Sequence, residues 1–184
     1  HWVLGGHAEA RVHKEMPKIE DFPEITAPRL RFDPSRNKAR FAVVAHVYYP
    51  DLWPEFAETL RRLDIDFDLY VTLTYRGESS DALEAAIIAE FPDAIVVALT
   101  NRGRDILPFL TLVNAGALSG YAAVCKIHTK KSPHREDGDL WRRHLIGGIL
   151  PEQGLAEMLE RFVANDDLAF WVSDGQFFRG TEWW

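Results

Sequence analysis

Apolar runs alternate with segments of helical spacing along this chain from Phe41 onward. The apolar runs predict strands at 41–49, 68–75, 94–100, 121–127 and 168–173. Between them, apolar residues at every third or fourth position predict helices over 51–63, 80–91, 106–117, 140–150 and 152–164. Ser79 or Ser80 is expected to cap the second of these helices. Alternating strands and helices favour right-handed crossovers, so we predict a three-layer α/β fold with a mainly parallel sheet.

The segment before this regular pattern is rich in proline. Residues 1–39 contain closely spaced prolines, which are Pro17, Pro23, Pro28 and Pro34. This composition predicts an extended arm or linker, which leaves 40–184 as the α/β domain. The chain ends on Trp183 and Trp184, an apolar patch that would be exposed unless covered. We expect the domain to be truncated at its C-terminus and covered there by missing polypeptide of the parent chain.

Composition narrows the class of protein. The chain has 184 residues, 47% of them hydrophobic and 27% charged, as in a soluble globular domain. Its net charge of −7 argues against a nucleic-acid partner. Cys125 is the one cysteine, so no intrachain disulfide forms. No apolar run reaches the ~18 residues of a membrane span, so we expect a cytoplasmic protein, with peripheral association at the inner face of the membrane left open.

Two polar clusters follow successive predicted strands. Residues 126–134 read Lys-Ile-His-Thr-Lys-Lys-Ser-Pro-His, and 101–105 read Asn-Arg-Gly-Arg-Asp. Because the carboxyl ends of parallel strands meet at one edge of a sheet, which is where ligands bind, we expect His46, Thr74, Asn101 and His128 at a shared edge. Lysine, arginine and hydroxyl donors collected there suit an anionic ligand such as a sugar phosphate.

Lys126 and His128 share one face of their strand, because they are two residues apart. A lysine on a covered face needs a partner for its charge, and Asp105 is the natural candidate.

The common fingerprints of other site classes are missing from the sequence. There is no phosphate-loop motif, no glycine-rich dinucleotide motif after the first strand, no zinc-protease motif and no nucleophile elbow. One cysteine cannot build a thiolate zinc site.

The motifs that remain resemble those of the rhamnan synthesis F family. They are Val43–Pro50, Asp66–Thr72, Asn101–Ile106 with Pro108-Phe109, and Lys126–Ser132 with Trp141-Arg142-Arg143. The resemblance covers about residues 40 to 174. It implies a glycosyltransferase domain, with a rhamnosyltransferase as one option, in bacterial cell-surface polysaccharide synthesis. The implied partners are a nucleotide-diphosphate sugar donor and a polysaccharide or lipid-linked glycan acceptor.

A more distant resemblance is to nucleotide-sugar transferases of the GT-A type, whose first half is Rossmann-like. Asn101-Arg102-Gly103 matches their loop, but His128-Thr129-Lys130 stands where they carry a metal-binding Asp-x-Asp motif. Lysine and histidine can offset phosphate charge without a metal. We therefore expect no metal site and no cofactor.

The candidate site follows from these clusters. Asp105 and His128 are the candidate catalytic residues, with Asp174 as another candidate for the base. The candidate substrate-binding residues are His46, Tyr48, Thr74, Asn101, Arg102, Gly103, Arg104, Lys126, Thr129, Lys130, Lys131, Ser132, His134 and Arg142.

Structural roles compete with several of these assignments. His46 lies in an apolar strand and suits a satisfied core histidine, Tyr48 suits packing, and Arg142 suits a solvated helix face. Two other functions also stay open. One is a non-catalytic glycan- or phosphoglycan-binding module of a larger synthase, and the other is a phosphotransferase that uses Asp105 or His128.

Overall fold

The computed structural model describes residues 34–131 and 137–173. Its strands are β1 (Phe41–Val47), β2 (Phe67–Thr74), β3 (Ile95–Leu99) and β4 (Ala123–His128). Its α-helices are α1 (Trp53–Arg61), α2 (Glu78–Glu90), α3 (Ile106–Asn114), α4 (Gly138–Ile149) and α5 (Leu155–Val163), and short 3-10 helices cover Pro34–Arg36 and Pro50–Leu52. The strands form one parallel sheet in the order β3-β2-β1-β4. The predicted α/β fold is confirmed.

Helices cover both faces of the sheet. On one face, Leu112 of α3 packs with Ala42, Val44 and Tyr70. On the other face, α1, α2, α4 and α5 bury side chains against β1 and β2, among them Phe56, Leu60, Ile87, Ile146 and Leu155. This division follows from the alternation along β1, since Val43 and Val44 point to opposite faces. The result is the predicted arrangement of three layers.

The strand order reverses between β1 and β4. From β1 the chain proceeds outward to β2 and β3, and then crosses back by way of α3 to place β4 on the far side of β1. His46 pairs in register with Thr72 on one side and with His128 on the other. In open α/β sheets, the crevice outside such a switch point is the usual ligand site.

The predicted fifth strand at 168–173 is wrong. The described part of this segment forms no strand, because it makes no ladder pairing with β4. Trp171 packs against the core, whereas the alternate residues Phe170 and Val172 are 86% and 74% exposed. An apolar run favours a strand only where a neighbouring strand supplies hydrogen bonds.

The predicted serine cap of α2 is also wrong. Gly77 is the N-cap residue, with a φ of 68°, and α2 begins at Glu78. Ser80 lies inside the first turn, where its hydroxyl accepts a hydrogen bond from Arg76 N at 2.6 Å and donates to Thr74 O at 3.2 Å. Ser80 therefore ties α2 to the end of β2.

The end of the predicted arm is bound to the domain. Asp68 accepts hydrogen bonds from the amides of Lys38 and Ala39, and Asn37 donates to Ser119 O at 3.1 Å. The rest of the arm, 1–33, and the terminal segment 174–184 lie outside the described residues. None of the helices that the structure describes is both long and apolar enough to cross a membrane.

Candidate functional site

Five side chains converge where β1 and β4 end, and we call them the switch-point cluster: His46, Thr72, Asp105, Lys126 and His128. Lys126 Nζ donates to Asp105 Oδ2 at 2.5 Å, and His128 Nδ1 lies 3.7 Å from the same oxygen. His46 Nδ1 and Thr72 Oγ1 are 3.0 Å apart. The expected pairing of Lys126 with Asp105 is confirmed.

The loop between β3 and α3 brings Asp105 to this cluster. β3 and β4 are the outer strands of the sheet, about 14 Å apart at the usual strand spacing. Asn101 stands near the end of β3, and the chain then crosses the carboxyl edge so that Asp105 reaches Lys126 on β4. The loop therefore closes over the ends of the two central strands.

Two consecutive residues of this loop have left-handed backbone. Gly103 has a φ of 62° and Arg104 a φ of 54°. A Cβ atom on Gly103 would stand 2.3 Å from Leu107 Cβ, so only glycine fits. For Arg104, the left-handed region costs about 1–2 kcal/mol. Strain of this kind in a loop at a sheet's ligand edge is typical of functional sites.

Burial keeps the His46 imidazole neutral. The residue is 4% exposed, and this burial lowers the pKa of His46 to about 4. Asp105 opposes the effect, while His128 and Lys126 add to it. His46 is therefore a neutral hydrogen-bonding group at physiological pH, with Thr72 as its partner.

The pKa values of His128 and Asp105 are both lowered, for different reasons. Burial lowers the pKa of His128, and the nearby Lys126 and Lys130 lower it further against the opposing effect of Asp105. Burial raises the pKa of the Asp105 carboxyl, but the Lys126 hydrogen bond and the charges of His128 and Lys126 outweigh it and hold that pKa below its usual value. The cluster thus combines a carboxylate, an ammonium and two neutral imidazoles.

Thr129 organises the turn after β1. Its hydroxyl accepts hydrogen bonds from the amides of Tyr48 and Tyr49 at 2.9 and 3.0 Å, and its own amide donates to His46 O at 2.9 Å. Thr129 is buried. Its visible role is to join the ends of β1 and β4 beside the cluster.

The lysines that follow Thr129 contact aromatic rings. Lys130 Nζ lies 4.4 Å from the Trp141 ring centroid, and Lys131 Nζ lies 5.1 Å from that of Tyr49. Lys131 also forms an ion pair with Asp51 at 2.5 Å. These cation–π contacts hold both ammonium groups near the carboxyl edge of the sheet.

Arg142 is buried, with 5% of its side chain exposed. Its guanidinium binds both carboxylate oxygens of Glu55, Asp139 at 2.8 Å and the carbonyl oxygen of Lys130 at 3.2 Å. These contacts use the donors that a phosphate would need. Arg142 therefore holds α4, α1 and the residues after β4 together, which is a positioning role.

The remaining predicted site residues lie around this centre. Thr74 is buried at the end of β2, while Asn101 and Arg104 are exposed in the β3–α3 loop with Arg102 half-buried beside them. Among the described residues, Arg104 has no ion-pair partner. Ser132, His134 and Asp174 lie outside the described residues.

Sequence reasoning missed three side chains at this edge. Arg76 stacks its guanidinium 4.5 Å from the Tyr48 ring centroid, and its position just after β2 could have indicated it. Thr72 and Glu55 depend on strand register and helix packing, which no local pattern reveals. In the described ranges, no group of three or more His, Cys, Asp or Glu could hold a metal ion.

Comparison with known proteins finds one family that matches this chain. The family described as rhamnan synthesis protein F matches residues 25–180. Two curated relatives, both described as uncharacterized protein WxcX, come from strains of Xanthomonas campestris pv. campestris. One is 33% identical over 129 residues and the other 33% over 122 residues, which are 69% and 65% of this chain.

The matched region is a small part of those relatives. It covers 18% and 17% of their lengths. No solved structure matches this chain.

Proposed function

This chain belongs to the rhamnan synthesis protein F family, and from that premise we propose that it is the nucleotide-sugar-binding part of a glycosyltransferase. Family membership points to a role in surface polysaccharide synthesis. The observation that carries the proposal is the switch-point cluster, since His46 and His128 flank the gap where the strand order reverses. Ligands of open α/β sheets bind at that position.

The donor's diphosphate would contact Arg104 and Lys126. Arg104 is exposed on the loop that crosses the carboxyl edge, and its guanidinium suits bidentate contact with phosphate. Lys126 is a quarter exposed, so its ammonium can meet a ligand while it stays paired with Asp105. When the bond between the sugar's anomeric carbon and the phosphate oxygen breaks, negative charge grows on the diphosphate, and both cations stabilise it.

His128 is the proposed general base. Its lowered pKa leaves the imidazole neutral at pH 7, so it can take the proton of an acceptor hydroxyl as that oxygen attacks the anomeric carbon. Asp105 lies 3.7 Å from Nδ1 and would stabilise the imidazolium that forms. The acceptor in this proposal is a polysaccharide or a lipid-linked glycan.

The same proposal includes a reaction without a divalent metal. The end of β4 carries Lys126 and His128, followed by Lys130, in place of the paired carboxylates that anchor Mg²⁺ or Mn²⁺ on a diphosphate. Sugar transfer by the full-length protein should persist in EDTA. Loss of transfer in EDTA with recovery on addition of Mn²⁺ would contradict this part of the proposal.

The test is calorimetric binding of dTDP, UDP and GDP to the full-length protein. We expect one of them to bind, and Arg104→Ala to weaken that binding about tenfold or more, since a charge-assisted hydrogen bond contributes about 1.5–3 kcal/mol. Arg104→Lys should recover only part of the affinity that Arg104→Ala loses, because an ammonium cannot reproduce the bidentate contact.

Arg143→Ala is the matched control. Arg143 is an exposed arginine on α4 whose Nε lies 3.8 Å from Glu55 Oε2. The Arg143→Ala variant should leave nucleotide affinity unchanged. If no nucleoside diphosphate binds the wild-type protein, the transferase proposal fails.

A second candidate function is a non-catalytic glycan-binding module of a larger synthase. The observation that favours it is the internal charge balance, since Lys126 is paired with Asp105 and Lys131 with Asp51. A balanced site suits a neutral glycan better than a diphosphate. Binding of oligosaccharides with indifference to all three nucleotides would favour this module.

A further inference from the structure

Arg76 presents a guanidinium group at the carboxyl edge of the sheet. It lies two residues beyond the end of β2, and its Cζ atom is 4.5 Å from the centroid of the Tyr48 ring. Arg76 is exposed, and among the described residues no carboxylate forms an ion pair with it. Contact with the ring leaves the donors at the edge of the guanidinium available to a ligand.

The backbone that carries Arg76 is held on two sides. The amide of Arg76 donates a hydrogen bond to Ser80 Oγ at 2.6 Å, and the amide of Tyr75 donates to Leu99 O at 2.8 Å. Ser80 is itself buried, and Leu99 is the last residue of β3. A side chain that stands on a fixed backbone and lies over an aromatic ring loses little freedom when a ligand binds.

The place of Arg76 relative to the switch-point cluster suits the base of a nucleotide. Tyr48 is two residues beyond His46, at most roughly 7 Å further along the direction of β1, and Arg76 lies over its ring. His46 belongs to the cluster, where the proposed diphosphate binds. In a nucleotide one ribose separates the base from the phosphates, so a base at Arg76 is compatible with a diphosphate at the cluster.

We propose that Arg76 binds the base of the nucleotide and selects guanine. The guanidinium carries donors only, and guanine offers two neighbouring acceptors, O6 and N7, that match such a fork. Adenine places an amino donor beside its N7, and thymine places a methyl group beside its O4, so each offers one acceptor. This inference rests on the proposed function, because it assigns the base of the same nucleotide.

The two lysines held over aromatic rings at this edge fit the role less well. Lys131 lies over Tyr49, but its charge is paired with Asp51 at 2.5 Å. Lys130 lies over Trp141 of α4. An ammonium is also a point charge, which cannot match two neighbouring acceptors as a planar fork does.

The test compares bases on the full-length protein. Calorimetry measures the affinities for GDP, ADP, UDP and dTDP, and for 7-deaza-GDP, which lacks the N7 acceptor. GDP should bind about tenfold or more tightly than the other three natural nucleotides, as expected for a bidentate contact. The 7-deaza analogue should bind about three- to tenfold more weakly than GDP, the range for one lost hydrogen bond.

Variants of Arg76 and Tyr48 separate base selection from a general effect on binding. Arg76→Ala should weaken GDP about tenfold and leave UDP and dTDP unchanged, whereas damage to the fold would weaken all of them. Arg76→Lys should recover only part of the affinity for GDP. Tyr48→Phe keeps the ring under the guanidinium and should keep the preference for GDP, while Tyr48→Leu should reduce it. Arg143→Ala is again the control and should change none of these affinities.

The outcomes are distinct. If the wild-type protein binds a nucleoside diphosphate without preferring guanine, or if Arg76→Ala keeps the wild-type preference, base selection by Arg76 is overturned and the proposed function survives. If no nucleoside diphosphate binds the wild-type protein, both are overturned together.

Discussion

Asp105 occupies the N-cap position of α3, yet its carboxylate accepts a hydrogen bond from Lys126 at 2.5 Å and makes no cap to the helix. An aspartate at this position ordinarily caps the free amides of the first turn, worth about 1 kcal/mol. Here the carboxylate reaches across the carboxyl edge of the sheet to the opposite outer strand. The ion pair therefore fixes the loop over the site at the expense of the helix end.

Double-mutant analysis of Lys126→Met and Asp105→Asn should give a coupling free energy of about 1–2 kcal/mol in urea unfolding. The side chains are 25% and 21% exposed, so loss of one partner leaves the other poorly solvated. The exposed pair of Lys131 and Asp51 is the control and should show no measurable coupling. Equal coupling in both pairs would contradict a special role for the first.

His46 should make stability depend on pH below neutrality. Its folded-state pKa is about 4 and its unfolded value about 6.5, so between these values the unfolded chain binds more protons. Stability is then complete above pH 6.5 and falls by about 3 kcal/mol as pH drops to 4. His46→Asn should flatten this dependence, and an NMR titration of His46 with a midpoint near 6.5 would refute it.

Gly103→Ala should destabilise the protein more than Gly154→Ala does. Both glycines have positive φ, 62° and 74°, so alanine is strained at both. Only Gly103 also has a close neighbour, Leu107 Cβ, 2.3 Å from the added Cβ, whereas Gly154 faces open space. The difference should be about 1–3 kcal/mol, the usual cost of overpacking. Equal losses in denaturant unfolding would mean that the loop relaxes freely.

Arg142→Lys should cost about 2–4 kcal/mol of unfolding free energy, since it breaks a buried bidentate contact with Glu55. Arg143→Lys, on the exposed side of the same helix, should stay within about 0.5 kcal/mol of the wild type. Because Arg142 also binds Lys130 O, its variant should lower nucleotide affinity through the displaced loop. A stable Arg142→Lys protein would contradict the positioning role.

The sequence predicted the sheet and its carboxyl edge well for physical reasons. Strands β1 and β2 are apolar runs buried on both faces, and the outer strands β3 and β4 are apolar runs that are mostly half-buried. Such runs can be recognised without knowledge of their neighbours. The pairing of Lys126 with Asp105 was also predictable, because a lysine on a covered face needs a counter-charge. Both inferences depend on local pattern and elementary electrostatics.

What the sequence could not supply depends on contacts between distant residues. The 168–173 segment is an apolar run typical of a strand, but it has no partner in the described sheet. The environment of Arg142 depends on how α4 packs against α1, and no spacing within α4 identifies Glu55 as its partner. Likewise, His46 lies beside Thr72 only because of the register of β1 and β2.

The left-handed conformation of Arg104 lowers the stability of the fold, whereas its exposed cation favours binding of an anionic ligand. Asparagine and glycine enter that region more readily than arginine, so Arg104→Asn would relieve backbone strain and remove the exposed cation at once. A selection for thermal stability alone would thus favour losing this arginine. Retention of a strained arginine is the pattern expected where the demands of a ligand outweigh those of the fold.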